Sequence, residues 1–149
     1  VFNRAGERED DLVRLLVRVA ALRAFLASED GANLLIAFCR ASNIVVIEER
    51  RDDRRYNGDI DPMLLRQSEE RALAERLTEV GVRAGTFLQG EQFETAMSEL
   101  ARLRRPVDDF FDKVTVNCDD AALRENRLHL LSRIRDTMNQ VADFSQIEG

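Results

Sequence analysis

Apolar side chains recur at steps of three and four along almost the whole of this sequence, and only two prolines and seven glycines interrupt them in 149 residues. From Glu9 to Leu26, the positions Leu12, Leu15, Leu16, Val19, Leu22 and Leu26 fall on one helical face. Ser28 is placed to cap a second helix whose stripe is Leu34, Leu35, Phe38, Ala41, Ile44 and Val45. That stripe is lost in EERRDDRRYNGD, residues 48–59, which reads as a loop or a solvated helix end. Asp61 followed by Pro62 predicts the start of a third helix running to about Val80, with Gly81, Gly85 and Gly90 punctuating the stretch beyond it.

A fourth helix is expected from about Glu91, with Phe93, Ala96, Met97 and Leu100 on one face. Pro106 opens a fifth, whose Val107, Phe110, Phe111 and Val114 stand at i, i+3, i+4 and i+7, so both phenylalanines are expected in the core. Asp119 and Asp120 precede a final helix over about Ala121–Ala142 and supply its cap. The only rivals of period two are residues 43–47 and 114–116, and each flanks a helical pattern. The expectation is an all-α chain, an antiparallel-type bundle of about five to six helices forming one domain over residues 1–149.

A hydrophobic fraction of 44% is ample for a core, which excludes a disordered chain despite 34% charged residues and a net charge of -6. No apolar run approaches the roughly 20 residues that a bilayer requires, so no membrane partner is expected. The opening VFNRAGERED has neither a signal-peptide profile nor an initiator Met, and reads as the edge of a fragment cut from a longer chain. Cys39 and Cys118 are too far apart for a CxxC or metal-ligand motif, so reduced thiols and a cytoplasmic setting are expected.

Catalytic chemistry finds little support. The single His129 lies off the Leu123, Leu130, Ile134, Met138 and Val141 stripe and is expected to face solvent. No phosphate-cradling glycine loop, nucleophile elbow or metal-spaced cluster is present, and an i, i+4 acid pair such as Asp108 with Asp112 is ordinarily a solvated face. Charge distribution is more informative, since residues 100–135 carry eight basic side chains against six acidic ones while the rest of the chain is strongly acidic. Arg127 projects about 40° from Leu123 and about 20° from Ile134, in the middle of the apolar stripe. A guanidinium there keeps its proton, so it is expected either to tie the last two helices through Asp108 or Asp112 or to touch a ligand.

Residues 104–149, RRPVDDFFDKVTVNCDDAALRENRLHLLSRIRDTMNQVADFSQIEG, resemble the C-terminal end of the β subunit of bacterial heterotetrameric glycyl-tRNA synthetase, its DALR-like anticodon-binding domain. Pro106, Asp108, Phe110, Phe111, Asp112, Lys113 and Val114 carry the likeness, with Asn126, Arg127, Leu128 and the closing Ala142, Asp143 and Phe144. Upstream, Arg40 with Asn43 and Ile44 is similar to that family's basic helix and its Asn-Ile pair, although Cys39, Glu48 and Glu49 stand where the family commonly has basic residues.

The resemblance implies a domain that reads tRNA without doing chemistry itself. The complete enzyme would be an α2β2 glycine-tRNA ligase of the bacterial cytoplasm, with ATP and Mg used by the α subunit and no cofactor in this domain. Glycine anticodons carry C at their second and third positions. Cytosine N4 donates and so needs a carboxylate, while its N3 and O2 accept from Arg or Lys, which suits a mixed acidic and basic surface. The candidate tRNA-binding residues are Arg104, Arg105, Lys113, Asn117 and Arg124, grouped around the fifth helix; Arg124 lies about 60° from Arg127, towards the edge of the stripe. The competing reading is a helical protein-interaction module with an apolar face left exposed once the bundle closes.

Overall fold

The computed structural model describes the backbone of residues 2–141 and the side chains of residues 12–141. Among the described residues there are six α-helices: α1 (Phe2–Ala27), α2 (Glu29–Asp52), α3 (Ser68–Gln89), α4 (Phe93–Ala101), α5 (Arg104–Lys113) and α6 (Ala121–Val141), with a 3-10 turn at Pro62–Leu64. The proposed matches at Ala142, Asp143 and Phe144 lie outside the described residues.

Local chemistry explains most of the boundaries. Ser28 caps α2 by accepting from the Gly31 amide at 3.1 Å while its hydroxyl donates to the Phe25 carbonyl, so α1 turns into α2 with a single residue between them. A Cβ on Gly31 would stand 1.8 Å from the Phe25 carbonyl oxygen, so the corner admits no larger residue without moving backbone. At the other end of α2 the helix runs on into the charged stretch and stops at Asp53, which adopts the left-handed conformation at φ 51°. Asp120 caps α6, accepting from the Ala122 and Leu123 amides.

The third helix departs from expectation. Asp61 caps only the short 3-10 turn, through the Met63 amide at 2.9 Å. The long helix begins at Ser68, where Gln67 and Glu70 form a reciprocal capping box, and it continues through Gly81 and Gly85 to Gln89. Those glycines do not punctuate; the Gln140 side chain of α6 lies over them and donates to the Gly81 carbonyl at 3.2 Å.

α6 is the central element, packed between α2 and α3, and Leu128, Leu130, Leu131, Ile134 and Met138 are wholly buried along it. α4 closes the bundle against α1 and α3, and α5 against α2 and α3. The helices are not uniformly antiparallel. Arg104 meets Asp30 at one end of the α2–α5 seam and Asn117 meets Glu48 at the other, so these two helices run the same way. The pairs Arg127–Glu70 and Gln140–Gly81 show likewise that α3 and α6 share a direction. α2 is long and apolar enough by composition to cross a bilayer, but its Leu34, Phe38, Ala41 and Val45 are core residues of the bundle.

Candidate nucleic-acid interface

Along the α2–α5 seam the two adjacent phenylalanines part company. Phe110 is fully buried, whereas Phe111 is only partly buried at the edge of the core and meets it edge-on at 5.9 Å. The Arg40 guanidinium, projecting from α2, lies 4.3 Å above the Phe111 ring. Arg40 is exposed and, among the described residues, its N–H groups have no protein acceptor. Asn33, Ile36, Asp108 and Asp112 complete a shallow groove around the stacked pair. A flat cation fixed on an aromatic ring, with two carboxylates beside it and an apolar floor, offers donors, acceptors and a stacking surface together.

At the far end of the seam a denser network forms around Arg124. Its guanidinium pairs with Glu48 and, at 2.8 Å, with Asp52; it also donates to the Asn117 side-chain oxygen at 2.9 Å and the Tyr56 hydroxyl at 3.3 Å. Asn117 donates to Glu48 in turn, and that bond, with Arg124, holds the Glu48 carboxyl below its ordinary range. The Tyr56 hydroxyl donates to Asp52 at 2.6 Å and, with Arg124, lowers the Asp52 pKa. Burial, then the Asp52 bond, raises that of Tyr56. The network locks the end of α2, the loop after it, the α5–α6 connection and the first turn of α6 together.

The expected site residues are thus divided. Arg104 is held by Asp30 at 2.6 Å, Glu29 at 3.3 Å and Asp108 at 3.7 Å, which raises its pKa, the Asp30 bond foremost. Arg124 and Asn117 belong to the network around the end of α2. Arg105 is exposed with no carboxylate partner among the described residues, and exposed Lys113 has only its neighbour Asp112 at 3.4 Å.

Arg127 is buried, but its partner is neither Asp108 nor Asp112. Both acids are exposed on α5, while the Arg127 head turns to α3 and pairs with Glu70 at 3.0 Å; the two side chains are 7% and 0% exposed. It also donates to the Thr115 carbonyl at 2.7 Å and the Gln67 side chain at 3.3 Å. Burial opposes its charge most, yet Glu70 and Cys118 together outweigh that and raise its pKa. His129 also departs from expectation, with a side chain only 11% exposed, its ring near Tyr56 and Nδ1 3.1 Å from the Asp59 carbonyl. Neighbouring Asn126 pins the same loop by bonding the Asp61 amide and carbonyl. The Asn126-Arg127-Leu128 run is therefore a structural clasp on α3 and the 59–61 loop.

Arg40 is the residue that sequence reasoning undervalues. Glu48 and Glu49 balance its helix when charges are merely counted, but both carboxylates turn inward, Glu48 to Arg124 and Glu49 to the Tyr56 amide at 2.8 Å. The available signal was spacing, since Ile36, Arg40, Asn43, Ile47 and Arg50 all lie on one outward face of α2.

The helices thus present an exposed seam of mixed charge with an arginine-capped aromatic ring in it, a surface suited to binding. Residues 34–148 match the DALR anticodon binding domain, and the chain belongs to that family. Its relatives are glycine–tRNA ligase β subunits: 58% identity over 150 residues to that of Rhodospirillum centenum, covering all of this chain, and 50% over 141 residues to that of Phenylobacterium zucineum, covering 95%. The Cereibacter sphaeroides subunit is 46% identical over 140 residues, or 94% of the chain. The chain spans about a fifth of the length of these relatives.

Proposed function

We propose that this domain recognises the anticodon of tRNA(Gly) through the α2–α5 seam. In a polypeptide of the relatives' length it would serve a glycine–tRNA ligase that pairs with an α subunit in an α2β2 cytoplasmic tetramer, where ATP and Mg act on the α side. The observation that carries the reading is Arg40, an exposed guanidinium fixed over Phe111 with no acceptor of its own among the described residues, in a groove that Asp108 and Asp112 also line. A cytosine set edge-on to the guanidinium, in its plane, would accept hydrogen bonds at N3 or O2 from Arg40 and donate one from its N4 amino group to a carboxylate. Lys113 and Arg105, exposed on the helix that carries Phe111, would serve as further cationic contacts, while Arg104, Asn117 and Arg124 hold the seam together.

The test is aminoacylation kcat/KM in the reassembled enzyme, using tRNA with the second or third anticodon base changed from C. Each change should cost about 1–3 kcal/mol of discrimination; no loss would remove this role from the domain. A second reading, subunit or domain assembly, is favoured by one feature, the outer part of α1. There Leu12, Val13, Leu15, Leu16 and Val17 are each about half exposed. Unchanged charging of anticodon variants, together with loss of assembly when Leu12 and Leu16 become polar, would support that reading instead.

A further inference from the structure

The sequence EERRDDRR at residues 48–55 is charge-balanced, four acids against four arginines, but the fold turns three of the acids inward and leaves only Asp53 exposed among them. Glu48 and Asp52 are turned inward to Arg124, and Glu49 to the Tyr56 amide. The arginines are left outside. Arg50 and Arg55 are exposed with no partner among the described residues, and Arg51 is 73% exposed with Glu48 only at 3.9 Å. Arg54 stacks over the Tyr56 ring at 4.4 Å and reaches Glu125. A stretch that is neutral in sequence thus presents Arg50, Arg51 and Arg55 against one exposed acid, Asp53, a cationic knob in space set at the helix end where the dipole favours positive charge.

The knob also has a place relative to the proposed base-reading groove. Arg50 continues the outward face that carries Arg40, ten residues on and about 15 Å along the helix axis. We infer that Arg50, Arg51 and Arg55, with Arg54 beside them, bind the phosphate backbone of the RNA stem adjoining the loop that the α2–α5 seam reads. This rests on the anticodon-reading proposal for the location of the loop, but it assigns a different task to different residues. The knob supplies sequence-independent attraction and the groove supplies discrimination. An acidic protein needs such a local cationic surface to hold a polyanion, because its overall field repels one.

The experiment measures Kd for tRNA against salt concentration on the full-length protein, comparing the parent with Arg50→Gln/Arg51→Gln/Arg55→Gln and with the corresponding triple Lys variant. Removing three phosphate contacts should reduce the log–log salt slope by about 2 and weaken binding at about 0.1 M salt by roughly tenfold to 100-fold. The loss should be equal for tRNA(Gly) and for a tRNA with an altered anticodon, with no change in Tm, and the Lys variant should retain most of the affinity. An unchanged slope and Kd in the Gln variant would overturn the inference. So would a variant that loses binding to phosphatidylserine vesicles but keeps tRNA binding, since the knob would then serve a membrane surface. Failure of base reading is separately visible, because parent protein would then bind both tRNAs alike while the triple variant still lost affinity for each.

Discussion

Arg127 shows what one side chain's helical position reveals and what it conceals. Its place among Leu123, Ile134 and Met138 predicts burial and a carboxylate partner, and both are found. The partner is hidden in the sequence, because Glu70 lies 57 residues away on a helix whose start the pattern misplaces, whereas Asp108 and Asp112 are closer along the chain. Truncating Arg127 to Ala should cost about 3–5 kcal/mol by urea denaturation, since Glu70 would be left buried and unpaired. The double variant Arg127→Met/Glu70→Leu should be clearly more stable than either single change, and strictly additive losses would mean that the two charges do not depend on each other. At the other network, Glu48 and Asp52 have depressed pKa values in the fold. Their contribution is therefore present above the ordinary carboxylate range, near about pH 4, and is lost as pH falls through and below it. Unfolding measured from about pH 7 to about pH 3 should show a steeper loss in the parent than in Glu48→Gln/Asp52→Asn.

At the scale of elements, periodicity exposes the helices because an amphipathic stripe is a local property, and five of the six expected stripes lie where α1, α2, α4, α5 and α6 stand. The start of α3 is obscured because Asp61-Pro62 and Gln67-Ser68-Glu69-Glu70 are both plausible beginnings, and tertiary contact with Asn126 settles which one extends. Helix direction is equally invisible, since it depends on how long connections cross. The α1–α2 corner gives a sharp test, as Gly31→Ala must displace the Phe25 carbonyl and should cost about 1–3 kcal/mol in thermal unfolding. In α5, Phe110→Ala should lose about 3–5 kcal/mol, while Phe111→Ala should lose much less stability and weaken tRNA binding instead. Equal stability losses without an effect on binding would return both rings to a purely structural role.

For the whole molecule, the division of labour is set by where its charges find partners. Arg104, Arg124 and Arg127 commit their hydrogen bonds inside the protein, and among the described residues Arg40, Arg50, Arg55 and Arg105 do not. The basic excess near the fifth helix is legible in the sequence, but engaged cations cannot be told there from available ones, because that depends on which acids fold inward. On the proposed reading, Arg40 over Phe111, in the groove that Asp112 also lines, discriminates cytosine in the anticodon. That reading is tested most directly by the Kd of tRNA(Gly) and of its second- and third-position C→U forms, measured with the parent, Arg40→Ala and Asp112→Asn proteins. The expected result is discrimination of about tenfold or more per base in the parent and its collapse in at least one of the two variants, a coupling of about 1–3 kcal/mol. The same discrimination in all three proteins would contradict it.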